Sequence, residues 1–129
     1  MKRAYLIWYQ YYQILPKLHR HSLGIKIDKI FVEIIEAIAI ASYLPKEEKL
    51  AWIKLAVRKI DTLKVLLLVL WESGSIENKK IVVLSENIEK IGKMLGGWRG
   101  QTQTQLIKSA FAKATTDKQN SPNQNLGEK

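Results

Sequence analysis

His19 and His21, two residues apart in the stretch LPKLHRHSLG, are the first side chains in this sequence that invite a chemical reading. On a helix they diverge, and on a strand they share a face. With no cysteine and no acidic cluster nearby, they are expected to be solvated histidines in a basic patch rather than metal ligands. Glu33 and Glu36 lie three apart and share a helix face, but no Glu-x-x-His partner accompanies them, so the di-iron pattern of helical bundles is missing. Ser73–Gly74–Ser75 reads as a turn rather than a nucleophile elbow, and GGWRG lacks the Lys-Ser/Thr ending of a phosphate loop. The sequence therefore points away from an enzyme and calls for no metal and no cofactor.

Basic residues offer a better prospect. Lys17 and Arg20, followed by Lys26 and Lys29, form one candidate patch. Lys54, Arg58 and the adjoining Lys59 form a second, and Lys90, Lys93 and Arg99 a third. Lysine meets phosphate as a point charge, whereas arginine forks onto phosphate or stacks on bases. The whole chain of 129 residues carries 21 Lys and Arg against 12 acids, a formal net charge of +9. Seventeen basic and ten acidic residues fall within 1–100, so most of the surplus belongs to the folded part. Such a surplus favours nucleic acid first, then an acidic protein or an anionic membrane.

The absence of cysteine removes disulfides and thiolate sites and fits a reducing, cytoplasmic setting. No stretch approaches the roughly 20 apolar residues of a membrane span. Val65–Trp71 is apolar but only seven residues long. The opening MKRAYLIWYQYYQ lacks the continuous apolar core of a signal peptide.

Four helical patterns would position the basic residues. The first, about 2–15, places Ala4, Ile7, Tyr11, Ile14 and Leu18 on one face, and Pro16 breaks it. The second, about 22–43, starts at Ser22 as N-cap and has Leu23, Ile27, Ile30, Ile34, Ala37 and Ala41 as its seam. The third, about 47–72, repeats Ile53, Ala56, Ile60, Leu63, Leu67 and Leu70 in steps of three and four, with apolar residues spreading round its C-terminal half. Ser75 would cap a fourth helix, about 76–95, carrying Ile81, Leu84, Ile88, Ile91 and Leu95 and ending at Gly96–Gly97, with Trp98 plugging the core just beyond. These predict an all-α, antiparallel up-and-down four-helix bundle over 1–100. Leu106–Ala114 has the spacing of a short amphipathic helix, but 101–129 is otherwise polar and expected to be mostly disordered.

Two motifs add a resemblance. LPKLHRHSLG at 15–24 followed by Lys26-Ile27, together with IGKMLGGW at 91–98, resembles the accessory variability determinant family of diversity-generating retroelements. The bundle proteins encoded in ribosomal RNA intervening sequences share the general pattern. Arg20, Leu23 and Gly24 occupy the connector motif, and Gly92, Leu95, Gly96, Gly97 and Trp98 the second, most of them in structural roles. His21 stands where an aromatic is common, and Lys26 and Lys93 where arginine is often seen, which keeps charge but removes the guanidinium fork. The resemblance implies a homopentameric barrel that binds the retroelement reverse transcriptase, its template-repeat RNA and the RNA/DNA duplex, and so supports mutagenic cDNA synthesis and retrohoming without catalysing it. An intervening-sequence-type bundle protein with a structural or general RNA-binding role, or a protein–protein adaptor docking through the third helix, are the alternatives.

Overall fold

The computed structural model describes residues 1–119. The described residues form helices and connecting turns, with no strand among them. The elements are α1 (Lys2–Gln13), α2 (Lys17–Arg20), α3 (Leu23–Tyr43), α4 (Lys46–Glu72) and α5 (Asn78–Gln119). The four long helices pack in the neighbour order α1–α3, α3–α4, α4–α5 and α5–α1, which is the up-and-down four-helix bundle. Pro16 and Pro45 sit immediately before α2 and α4, where a missing N–H costs nothing. Gly74 takes φ 81°, and the N–H groups of Gly74 and Ser75 return to the carbonyls of Trp71 and Leu70. That left-handed glycine closes α4.

The predicted seam of α4 is buried at all six positions, as are Ile27, Ile30, Ile34, Ala37 and Ala41 of α3 and Leu84, Ile88, Ile91 and Leu95 of α5. The face of α1 differs from expectation. Ala4 is buried, but Ile14 and Leu18 are exposed and Trp8 and Leu15 are core residues. Pro16 starts a new helix, so Leu18 is out of phase with α1, and the large indole of Trp8 has more area to hide than Ile7 or Tyr11. Trp8 stacks on Tyr12 and Phe31, at centroid distances of 5.6 and 6.0 Å, and its Nε1 donates to Asp28 at 3.2 Å. Burial first, and then the hydrogen bond to Asp28, push the Tyr5 hydroxyl up to about 12.

Two cap assignments are corrected. Ser22 stands at the N-cap of α3 as expected, but its hydroxyl donates back to the Leu18 carbonyl at 2.9 Å and bonds none of the first-turn N–H groups. Ser75 does not cap α5, which begins three residues later; its hydroxyl meets His19 Nδ1 and lies 3.2 Å from Ser73 Oγ.

The larger correction concerns the last helix. It does not end at Gly96–Gly97 but runs unbroken to Gln119, so 101–119, expected to be mostly disordered apart from a short helix at Leu106–Ala114, is helical throughout. Neither glycine adopts positive φ. Trp98 and Thr102 extend the seam of Leu84, Ile88, Ile91 and Leu95 in steps of three and four, and Thr102 is buried. Packing along that seam outweighs the cost of about 1 kcal/mol per helical glycine. Residues 120–129 of the expected disordered tail lie outside the described residues.

Gly24 is where the connector becomes a fixed part of the bundle. A Cβ there would come within 2.9 Å of the His19 carbonyl oxygen and of Tyr12 Cε1, and 3.2 Å of Leu15 Cδ1. The close approach lets α1, α2 and α3 share one corner, with the Tyr12 hydroxyl donating to the Arg20 carbonyl at 3.3 Å. Gly24→Ala is expected to destabilise the protein by about 1–3 kcal/mol through overpacking. Chemical denaturation checks this as a lowered midpoint.

Candidate nucleic-acid interface

The ten predicted contact residues do not gather on one face. Lys17 is exposed, but Arg20 is half-buried and engaged in the connector. Its Nη1 donates to the Gln13 carbonyl at 3.4 Å, and its buried Nε has no partner among the described residues. Lys26 and Lys29 are exposed on α3, on the flank that also carries Glu33, one turn beyond Lys29.

On α4 the predicted trio separates. Lys54 and Arg58 are one turn apart on the outer face, both exposed, and neither forms an ion pair among the described residues. Lys59 is turned by about 100° from Arg58. It lies against α3, where its Nζ donates to Glu33 Oε1 at 3.1 Å. That pairing gives Glu33 a structural role and withdraws Lys59 from the outer face.

Lys90 and Lys93 are exposed on α5 and line a shallow groove of about 500 Å³ with Val82, Glu86 and Glu89. Two carboxylates share it, so it is not uniformly basic. The hydrogen bond and charge of Lys64, 2.8 Å from Glu89 Oε1, hold that carboxyl below its ordinary range, with a smaller contribution from Lys93. Arg99 is half-buried.

Lys49 is a partner the sequence did not single out. Its ammonium stands 5.4 Å from the centre of the Trp98 ring, so Lys49, and not Arg99, is the cation on that indole. Trp98 packs against the core as expected, but from within a continuing helix. With Met1, Ile38, Ile91, Met94 and Leu95 it lines an apolar pocket of about 250 Å³. Leu23 packs against the core and Gly92 sits beside Ile60 and Lys64 of α4, so these motif residues are structural. Gly96 and Gly97 have nothing within 4 Å of where a Cβ would stand. Gly97→Ala is therefore expected to raise the stability of the chain by up to about 1 kcal/mol. Thermal melting at fixed concentration would register this as a higher midpoint.

The remaining chemistry is spare. His19 is joined to Ser75, which ties α2 to the α4–α5 turn; His21 is exposed. No carboxylate is bonded to His19 among the described residues, so the Ser–His pair lacks the group that would orient the imidazole as a base. Nor are three metal-ligating side chains gathered anywhere among them. No described helix is long and apolar enough to cross a membrane.

The bundle, its glycine-bearing connector and the helix carrying LGGW coincide with one family comparison. Residues 2–102 match the family described as bAvd-like. The chain belongs to that family. The match ends at the buried Thr102, where α5 last meets the core, so the family's unit and the packed bundle coincide. Comparison with curated proteins and with solved structures gives no match.

Proposed function

We propose that this bAvd-like chain is a non-catalytic accessory subunit of a diversity-generating retroelement. In this reading it binds the reverse transcriptase together with template RNA and the RNA/DNA duplex and supports mutagenic cDNA synthesis and retrohoming in the cytoplasm. The observation that carries the reading is family membership across the whole bundle, with both resemblance motifs inside it. Two features support it. The net charge of +9 draws polyanions, and Lys54 with Arg58 presents on an outer face a basic pair that forms no ion pair among the described residues.

Assembly as a homopentamer is part of the proposal. The outer face of α4 carries Lys54, Arg58 and Asp61 and then turns apolar, exposing Val65, Leu68 and Val69, at 60%, 51% and 46%. A contiguous apolar strip on an otherwise charged helix marks an interaction surface. The same strip favours a second reading, an adaptor that docks an unrelated protein there.

Co-purification of the chain with the reverse transcriptase and template RNA, with light scattering to count subunits, tests the proposal. A stable complex holding about five copies supports it. An assembly that retains RNA but ignores the polymerase moves the function to general RNA binding. A chain that binds neither leaves the adaptor.

A further inference from the structure

Beyond Thr102, no described residue of α5 is fully buried. α4 begins at Lys46, about one turn before Lys49 reaches Trp98, and α1 begins at Lys2, with Met1 beside Met94 and Leu95. Past the ends of both neighbours the helix continues for about 17 residues, or roughly 25 Å. From Thr104 to Thr115 every residue is exposed except the half-buried Leu106. The extension is not evenly polar. Leu106, Ile107, Ala110, Phe111 and Ala114 recur at helical spacing and make one apolar stripe, with Ile107 69% and Phe111 75% exposed. Lys108 and Lys113 flank it on opposite sides.

Only Leu106, four residues beyond Thr102, keeps to the core seam. The stripe's other four residues centre about 120° round the helix from the line of Leu95 and Thr102, so most of the stripe turns away from that seam. It continues instead the line of Gly96 and Gly100, whose missing side chains leave open space on the outside of the bundle. One face of α5 is therefore backbone-thin at Gly96 and Gly100 and apolar along the extension. A helix of this length is marginal alone in water, and five apolar side chains fall far short of the roughly 20–30 residues a side of a standalone interface. The occupant must already be held nearby.

We propose that the stripe packs against the same stripe of other copies, forming a short parallel stalk on the end of the assembled bundle. This rests on the homo-oligomer reading above. In a ring of copies each α5 leaves from the same end, so the extensions emerge side by side at high effective concentration. In parallel, in-register helices, a flanking position faces the position five residues on in its neighbour. That places Leu106 of one copy against Phe111 of the next and Ile107 against Ile107, and leaves Lys108 at the wet side. A nucleic acid would engage the lysines and leave the stripe bare, so a second copy fits the chemistry better.

The full chain contains no cysteine, so single cysteines report without background. Ala114→Cys lies in the stripe and Ser109→Cys on the far side, and both are small replacements at exposed sites. With a short bis-maleimide, Ala114→Cys is expected to give covalent oligomers in at least several-fold greater yield than Ser109→Cys. Adding Phe111→Glu should remove that difference, while light scattering still finds an assembled bundle. Equal yields from the two cysteines in an assembled protein overturn the stalk and leave the oligomer standing. A full chain that scatters as a monomer overturns the oligomer reading itself. Phe111-dependent sedimentation with phosphatidylserine vesicles, without cross-linking, assigns the stripe to lipid and also overturns the proposal.

Discussion

Trp8→Ala is expected to lower the stability of the protein by about 3–5 kcal/mol, the range for truncating a buried Trp or Phe. Trp8 has no exposed surface, and it joins α1 to α3 by stacking between Tyr12 and Phe31. Truncation opens a cavity between rigid rings that have little freedom to close it. It also leaves Asp28 without the indole donor that reaches it at 3.2 Å. Against a domain stability of about 5–15 kcal/mol, such a loss is a large fraction of the total. Trp8→Phe separates the two causes, since it keeps a ring and loses the donor, and should cost distinctly less. Urea denaturation reads both, at one protein concentration because any self-association would make the midpoint depend on it. A midpoint for Trp8→Ala within error of the unaltered protein would mean that α1 does not lock the bundle.

This role of α1 is the part of the fold least legible in the sequence. On the first half of α4, apolar residues stand in steps of three and four with charges between them, which singles out one face for burial. On α1, Tyr5 through Tyr9 and Tyr11–Tyr12 are apolar or aromatic at every position, and periodicity cannot select among them. Selection comes from the partner. Phe31 and Asp28 on α3 match an indole, ring to ring and donor to carboxylate. The glycine pair misleads for the opposite reason. Gly96–Gly97 satisfies a local rule about helix ends, but tertiary packing decides, because Leu95, Trp98 and Thr102 all find the core across it.

The basic residues are identifiable by type but not by availability. Lys54 and Arg58 are four apart, and the spacing alone puts them together. Lys59 is adjacent in sequence and therefore a quarter-turn or more away in space, a step the charge pattern conceals. Its partner Glu33 is 26 residues distant, so only the α3–α4 packing brings the two together. Arg20 reads as a free guanidinium, yet a four-residue helix and Gly24 fold it back onto the carbonyl of Gln13.

The availability of Lys54 and Arg58 gives the second large expected effect. Lys54→Glu with Arg58→Glu should weaken RNA binding by about 10- to 100-fold near physiological salt. Removing one phosphate-neutralising cation also lowers the slope of log K against log salt by about 0.7–0.9, so the pair together flatten it by about 1.4–1.8. Both side chains are exposed and lie outside the core, so folding should be unchanged by circular dichroism. Lys59→Glu is the control that distinguishes an interface from bulk charge. It makes the same charge change at one site, but its side chain is joined to Glu33 at 3.1 Å, so its cost should fall mainly on stability and little on binding at high salt. Equal weakening from the outer-face pair and from two scattered lysines, such as Lys79 and Lys108, would show that only net charge matters. An effect confined to Lys54 and Arg58 places the phosphate track along the outer face of α4, next to the apolar strip of Val65, Leu68 and Val69. Nucleic-acid binding and subunit packing would then divide one helix between its two halves.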